Sequence, residues 1–509
     1  VDELEHAQGN PKKARIGLVE DNERLKTRVV NYLSNHSDLK VNDDPDEVQW
    51  ERILTLMVDG EFNDAESMQI FEELTGKELN LEEVRKARKE EIEFVKQLKV
   101  YEEVPISECI ANTGKHPIGT RWVDILKGEL TRSRLVAQDF KKKGDGHRED
   151  LFAAMPPLEA KKALFRMAAA RLKGRFTRDG KKMKLMFIDV RKAHLNAACD
   201  KEHMYVALPE EAGAAPGMCG RLLRWLYGMR GAAQGWETEF GGKLGTIGFT
   251  RGKSTPVVFH RDSDDTTLVV HGDDFTFLGY PESLQEVLAQ MKVWWDIKLR
   301  AIVGDDDEDA KEVTILNRNL KWTGDALTLS ADKKHAQEII KAFGLTESSR
   351  GITVPVDPEA ITQSDEEELL EGSEITRFRG LAARGNYLGQ DRCDVQYAAK
   401  EISRGMAKPT RGSMARMKRL ARYLLEVPEG VLTYSSSEEG LDRIQVYVDS
   451  DWAGCKTTRK STSGGALAWG KGLLKSWSTT QGSVALSSGE AEFYAAVKGC
   501  KEGIGMKAL

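Results

Sequence analysis

The sequence predicts a chain of the α+β class, with strands and helices grouped in blocks. Three stretches carry that prediction. Thr267–Gly279 (TLVVHGDDFTFLG) sets two apolar runs about a Gly-Asp-Asp centre, the pattern of a β-hairpin. Lys184–Val190 (KLMFIDV) is an apolar run of strand length that carries Asp189 near its end. Three helical patterns follow one another over Ile375–Leu388, Asp394–Met406 and Gly412–Leu425.

Composition sets the bounds. The chain has 509 residues, 40% hydrophobic and 31% charged, enough for several ordinary globular domains. No apolar run is long enough to span a bilayer and no secretory signal is visible, so neither a membrane partner nor secretion is expected. The cysteines at 109, 199, 219, 393, 455 and 500 are scattered without a C-x-x-C pair. That argues against a zinc site or a disulfide framework and points to a reducing compartment. The net charge of −6 hides a division. Residues 1–80 hold 19 acids against 9 bases, whereas residues 121–260 hold 27 bases against 15 acids. The basic middle fits a polyanion partner and fits equally a solvated basic face.

In chain order, residues 1–80 are acidic, with weak helical patterns near Val29–Leu33 and Ile53–Met57, and read as a linker or a partly disordered segment. Leu81–Val100 is a better helix, acidic in its first turn, with Ile92, Val95 and Leu98 on roughly one face. Ile118–Phe140 reads as strand, turn at Lys127-Gly128-Glu129, and strand. On its second strand Arg132 and Arg134 share a side. Two guanidiniums there suit a triphosphate, and they read as well as exposed strand arginines. Lys161–Lys173 is helical. Gly220–Gly228 and Gly235–Leu244 are expected as helices about a Gly/Ala-rich bend. After the carboxylate hairpin come a helix at Leu284–Trp295, strands at Thr314–Leu320 and Ala326–Leu329, and a helix at Lys333–Phe343. Ile352–Gly372, with Pro355, Pro358 and an acidic run, reads as a linker. Arg416, Lys418, Arg419 and Arg422 give the third helix of the later block a basic face. Ile444–Val448 is a strand running into Asp449 and Asp451. Gly464–Trp469 and Leu473–Trp477 form a hairpin, and Ser487–Lys501 is a helix with Ser488 as its N-cap.

Three aspartates stand out: Asp189 at a strand end, and Asp273 with Asp274 at a hairpin tip. Adjacent carboxylates repel, and a hairpin gains little from them unless a cation sits there. Taken singly, Gly-Asp is also ordinary turn chemistry, and an acid after a strand is also a turn or cap residue. Together they form a set able to hold two divalent ions roughly 3.5–4 Å apart, the clamp of an in-line phosphoryl displacement.

The order of the motifs resembles one family, the reverse transcriptase and ribonuclease H portion of copia-type long-terminal-repeat retrotransposon polyproteins. Arg132–Phe140 (RSRLVAQDF) resembles that family's KARLVAKGF, Phe187–Asn196 (FIDVRKAHLN) its MDVKTAFLN, and Leu226–Trp236 (LYGMRGAAQGW) its LYGLKQAPRAW. His271–Asp274 (HGDD) stands where the family has YVDD. Phe378–Leu388 with Asp394–Met406 is similar to the connecting region. Tyr447–Gly454, Arg459–Gly464 and Ser476–Tyr494 are similar to the start of its ribonuclease H. The resemblance spans roughly 80–505 and leaves residues 1–80 outside.

The resemblance implies a right-hand polymerase, with fingers and palm over 81–280, a thumb-like part over 281–345, linker and connection over 346–440, and a truncated α/β ribonuclease H-like segment over 441–509. It assigns Asp189, Asp273 and Asp274 to catalysis and to two Mg2+ ions, with Mn2+ an acceptable substitute. Arg132 and Arg134 become triphosphate ligands. Gly228 and Arg230 mark a bend against the nascent base pair and template. His194 takes the place under the sugar where the family has Phe, which predicts weaker discrimination against ribonucleotides. Ala233 replaces a Pro and frees the bend. His271 and Gly272 replace Tyr and Val, and His271 reads either as a primer-phosphate contact or as a turn-flanking residue. Asp449 and Glu492 match the first two of about four ribonuclease H carboxylates, so no ribonuclease H activity is expected of this chain alone. The implied partners are an RNA template, a DNA primer, their RNA–DNA hybrid and dNTPs, with other retrotransposon proteins or a second chain as further candidates. The implied location is a cytoplasmic particle or the nucleus. Two rivals remain at this point: a silent relic that only binds nucleic acid, and a two-metal nuclease or phosphotransferase on an unrelated fold.

Overall fold

The computed structural model describes residues 70–71, 78–127, 129–140, 158–173, 177–178, 180–356, 368–455 and 457–509. The helical patterns expected near residues 29–33 and 53–57, the Gly128 turn position and most of the acidic linker at 357–367 lie outside the described residues. The chain divides into two compact units. One holds the described residues up to 140 together with 198–232, and the other holds 158–197 with 233–509.

In the first unit the helix Leu81–Gln97 starts at Asn80, whose side-chain oxygen accepts from the backbone N–H of Glu82 at 2.9 Å and of Glu83 at 3.2 Å. Its buried face is Val84, Ala87, Ile92 and Val95. Arg88, on the same helix, donates to Asp124 at 2.7 Å and to Glu211 at 3.0 Å. The strands Thr120–Lys127 and Leu130–Ala137 pair antiparallel, as the alternation predicts. A second sheet places Met218–Leu222 between Tyr101–Pro105 and Tyr205–Val206. The helix expected over Gly220–Gly228 is therefore not formed. Its first residues are a central strand, and the rest is an irregular bend that buries Trp225 and Leu226. The apolar spacing of LLRWL suits a helix, but two neighbouring strands supply partners for the backbone of 218–222, and pairing overrides local propensity.

The second unit is built on a six-stranded antiparallel sheet in the order Thr250–Arg251, Val258–Arg261, Thr266–His271, Asp274–Gly279, Lys184–Val190, Ile297–Val303. Lys184–Val190 lies inside the sheet and is buried at every residue except Asp189. The helix Leu158–Leu172 covers one face through Leu164, Phe165, Ala168 and Leu172, in a core that continues to Leu320, Trp322, Leu327, Tyr434, Leu467 and Trp477. Arg166 of that helix is fully buried. Its guanidinium donates to the carbonyls of Trp469 and Ser435, each at 3.0 Å, and of Ser437 at 2.6 Å. Each of its three nitrogens thus donates to a carbonyl, which offsets part of the cost of burying the charge.

A second sheet runs Glu312–Ile315, Arg318–Trp322, Ala326–Ser330, Val431–Ser435. The single strand expected over Thr314–Leu320 is thus two strands. They turn at Leu316-Asn317, both left-handed (φ 44° and 59°), which is the two-residue hairpin geometry whose twist suits flanking strands. The helices Ser373–Gly389, Cys393–Ser403 and Arg411–Glu426 form as the periodicity predicts, around Phe378, Leu388, Val395 and Leu420. The last elements are the strands Ile444–Asp451, Thr462–Trp469 and Gly472–Thr480 with the helix Ser488–Ala508. Asp449 and Asp451 lie within the first of these strands rather than beyond it. The helix cap is Ser487, not Ser488. The Ser487 hydroxyl accepts from the N–H of Glu490 at 3.1 Å.

One ion pair ties the second sheet to the helical block. Arg318 Nε donates to both Asp391 carboxylate oxygens at 2.8 Å, and both residues are buried. Removing one partner of such a pair strands a buried charge. Asp391→Ala is expected to lower stability by about 3–5 kcal/mol in urea denaturation, and the double change Arg318→Met with Asp391→Leu by much less.

Candidate functional site

Three carboxylates meet at one end of the six-stranded sheet. Asp189 is the penultimate residue of an internal strand, and Asp274 is the first residue of its neighbour and stands directly opposite it in register. Gly272 and Asp273 form the two-residue turn that joins Thr266–His271 to Asp274–Gly279, where His271 pairs with Asp274. Gly272 adopts φ +63°, a conformation that glycine takes without a Cβ penalty. The turn is tied down at two points. The Asp273 carbonyl accepts from Val190 N–H at 2.9 Å, and the Gly272 carbonyl accepts from the indole of buried Trp236 at 2.9 Å. One oxygen from each of Asp189, Asp273 and Asp274 lies within 4.8 Å of the others, a set that could hold a metal ion. Among the described residues no other group of three or more such side chains meets that condition.

The electrostatics come from residues that sequence reasoning passes over. Arg300 lies on the edge strand Ile297–Val303, and its Nη2 donates to Asp189 at 2.9 Å and lies 3.1 Å from Asp274. The strand IKLRAIV has no clean alternation, so nothing local marks Arg300 as a partner of the acids. Lys161 is almost wholly buried with no hydrogen-bond partner at its ammonium. Burial pushes its pKa down to about 8, against the opposing pull of Asp274 and Asp273. Burial raises the Asp274 carboxyl, Arg300 and Lys161 oppose that rise, and the neighbouring acids add to it. His271 is pushed down to about 4 by burial and by the charges of Lys161 and Arg318, so its imidazole is neutral at pH 7.

The remaining candidates fall in different places. His194 is in the same unit as the three acids, in the short 3-10 turn Ala193–Asn196 that follows the Asp189 strand. Arg132, Arg134, Gly228 and Arg230 belong to the other unit. Arg132 and Arg134 are both exposed, with buried Ser133 between them, as same-side strand residues should be. The Arg134 guanidinium also lies over the Tyr227 ring, 5.3 Å from its centroid. The backbone N–H of Arg230 donates to Asp139 at 3.0 Å. Asp449 is exposed on its strand, and Glu492, on the last helix, accepts from the N–H of Ser450 at 3.2 Å.

Gly228 has a local explanation. It adopts φ +79°, and a Cβ there would lie 2.1 Å from the Ala137 carbonyl oxygen and 2.5 Å from Val136. The Tyr227 carbonyl accepts from Ala137 N–H at 2.7 Å, so the bend is pressed against the end of the strand Leu130–Ala137.

Residues 108–358 match the family described as reverse transcriptase (RNA-dependent DNA polymerase). Those residues, close to half of the chain, form a reverse transcriptase domain of this family. The chain's relatives include copia-type Pol polyproteins of plant transposons. It is 23% identical over 462 residues to the retrovirus-related Pol polyprotein from transposon TNT 1-94 of Nicotiana tabacum, covering 87% of this chain and 32% of that protein. It is 27% identical over 285 residues to the Pol polyprotein from transposon RE1 of Arabidopsis thaliana, covering 55% of this chain and 18% of that protein. The chain therefore spans about a third or less of these relatives. A solved foamy viral protease-reverse transcriptase in complex with double-stranded DNA aligns at 11% identity and TM-score 0.45, covering 84% of this chain and 61% of that one. Among the described residues no helix is long and apolar enough to cross a membrane.

The packing of Gly228 gives a test. Gly228→Ala is expected to cost more than about 2 kcal/mol, because left-handed strain adds to a clash with backbone that cannot swing aside. Thermal denaturation beside Gly213→Ala, which is also left-handed but has open space around its Cβ, separates the clash from the strain.

Proposed function

We propose that this chain is an RNA-directed DNA polymerase that joins the α-phosphate of a dNTP to a primer 3′-hydroxyl and releases pyrophosphate. The observation that carries the reading is the convergence of Asp189, Asp273 and Asp274, within residues that match the reverse transcriptase family. The donor set is all carboxylate oxygen, the chemistry that hard divalent ions such as magnesium prefer, with manganese able to substitute. When bound, two such ions would lower the pKa of the primer hydroxyl and neutralise the triphosphate.

The chain's own residues do the positioning. Asp189 and Asp274 sit on paired strands, so their separation is fixed by sheet geometry, while Asp273 is carried by a turn anchored at Val190 and Trp236. In the other unit, Arg132 and Arg134 present two guanidiniums on one strand face, an arrangement that suits phosphate groups. His194 supports the sugar of the incoming nucleotide. Neutral His271 contributes no charge toward a primer phosphate and acts as a packed residue of the hairpin. The RNA template, DNA primer and their hybrid are the polyanions that the basic middle of the sequence serves. No step is assigned to Asp449 or Glu492.

Primer extension tests this reading directly, with oligo-dT on poly-rA, dTTP and magnesium. The natural chain is expected to extend the primer, and Asp273→Asn and Asp189→Asn to fall to the level seen without magnesium. Extension that persists in both variants would refute the site. Salt-sensitive hybrid binding without extension by any form would mark a nucleic-acid-binding relic.

His194 gives a second test. A polar imidazole under the sugar excludes a 2′-hydroxyl less strictly than a phenyl ring. His194→Phe is expected to raise the dTTP-to-UTP preference by about tenfold, about 1.4 kcal/mol in relative barrier. Equal ratios in the two forms would remove His194 from the sugar site.

A further inference from the structure

Arg300 is placed by an irregularity in the sheet. Along the pairing of Ile297–Val303 with Lys184–Val190, Leu299 stands opposite Ile188 and Ala301 opposite Phe187, so Arg300 is an extra residue with no partner of its own. Such a bulge re-aims a side chain, and here Nη2 comes within 2.9 Å of Asp189 and 3.1 Å of Asp274. One nitrogen therefore bridges an oxygen from each of the two carboxylates that face each other across the sheet. That is the position a cation must take to be shared by both. The three acids carry a formal charge of −3, and Arg300 supplies one positive charge directly between two of them. The Arg300 side chain is 31% exposed and its strand is at the sheet edge, so it can leave the acids without unpacking a core. Lys161 lacks that freedom, being buried on the helix beneath.

We infer that Arg300 is a built-in competitor for the metal position, a guanidinium that bridges Asp189 and Asp274 and that a divalent ion must displace to bind both. This inference rests on the metal-centre reading above. It adds that the centre has an internal cation, so that metal affinity is set by an exchange rather than by filling an uncompensated acid cluster. The exchange has two signatures. Removing Arg300 strengthens metal binding, and it weakens the fold when no divalent ion is present, because the carboxylates then repel with less compensation.

The test is Mn2+ binding to the full chain by calorimetry, with thermal denaturation in EDTA and in excess Mn2+. Arg300→Gln is expected to tighten Mn2+ binding by about tenfold or more. Its melting temperature falls below that of the natural chain in EDTA, and its gain on adding Mn2+ is larger. Arg300→Lys, which keeps a charge but has a single compact ammonium, is expected to fall between the two, and it carries the test if the Gln form does not fold. Asp189→Asn is the control that locates the bound ion. If Mn2+ binds in an Asp189-dependent way with equal or weaker affinity in the Arg300 variants, the inference fails and the metal centre stands. If no form binds Mn2+ through Asp189, both fall together.

Discussion

Three like charges held close together are the constraint around which this fold is arranged. Two carboxylates about 4 Å apart repel by roughly 4 kcal/mol at an effective dielectric near 20, and by about a quarter of that in bulk water. Asp189 and Asp274 are partly buried, so they stand nearer the first case. Nothing local to either strand offsets that repulsion. The offset comes from cations brought in by other elements: Arg300 from the sheet edge and Lys161 from the covering helix. The sheet supplies the rigidity that keeps the acids from drifting apart. The Asp189 strand is buried on both sides, and the hairpin turn is held through its backbone by Val190 and Trp236.

The helix Leu158–Leu172 has a second task. Lys161, Lys162 and Arg166 are all buried on it, an unusual density of cations for a covering helix. Each of the three nitrogens of Arg166 donates to a carbonyl at or just beyond the end of a later strand, and Lys162 reaches the Gln390 carbonyl. Lys161 is different, with no hydrogen-bond partner and a neighbourhood that includes both hairpin acids. Two of the three thus fasten the helix to the rest of the unit, while the third biases the acidic site.

That fastening also bears on how the chain is divided. One core passes from the helix and the six-stranded sheet through the second sheet to Leu467 and Trp477. The strand Val431–Ser435 completes the sheet that begins at Glu312, across a hundred intervening residues. Sequence segments that look separable, because an acidic and proline-containing stretch lies between them, are packed into one unit. A linker-like composition reports on the linker alone and not on what its two ends do afterwards.

The sequence by itself determined the local matters. An apolar run of strand length fixed the Asp189 strand. Two apolar runs about Gly-Asp-Asp fixed the hairpin, and helical periodicity fixed the block from Ser373 to Glu426. It misjudged Gly220–Gly228 and Thr314–Leu320, where the deciding factor was a neighbouring strand or a left-handed Leu-Asn turn that carries no glycine signal. Only the tertiary structure decided that Asp189 faces Asp274 in register, that a bulge turns Arg300 onto both, and that Lys161 lies buried beside them. The reason is physical. Periodicity encodes which side of an element meets the core, whereas pairing, register and the compensation of buried charge depend on which distant element arrives as the neighbour.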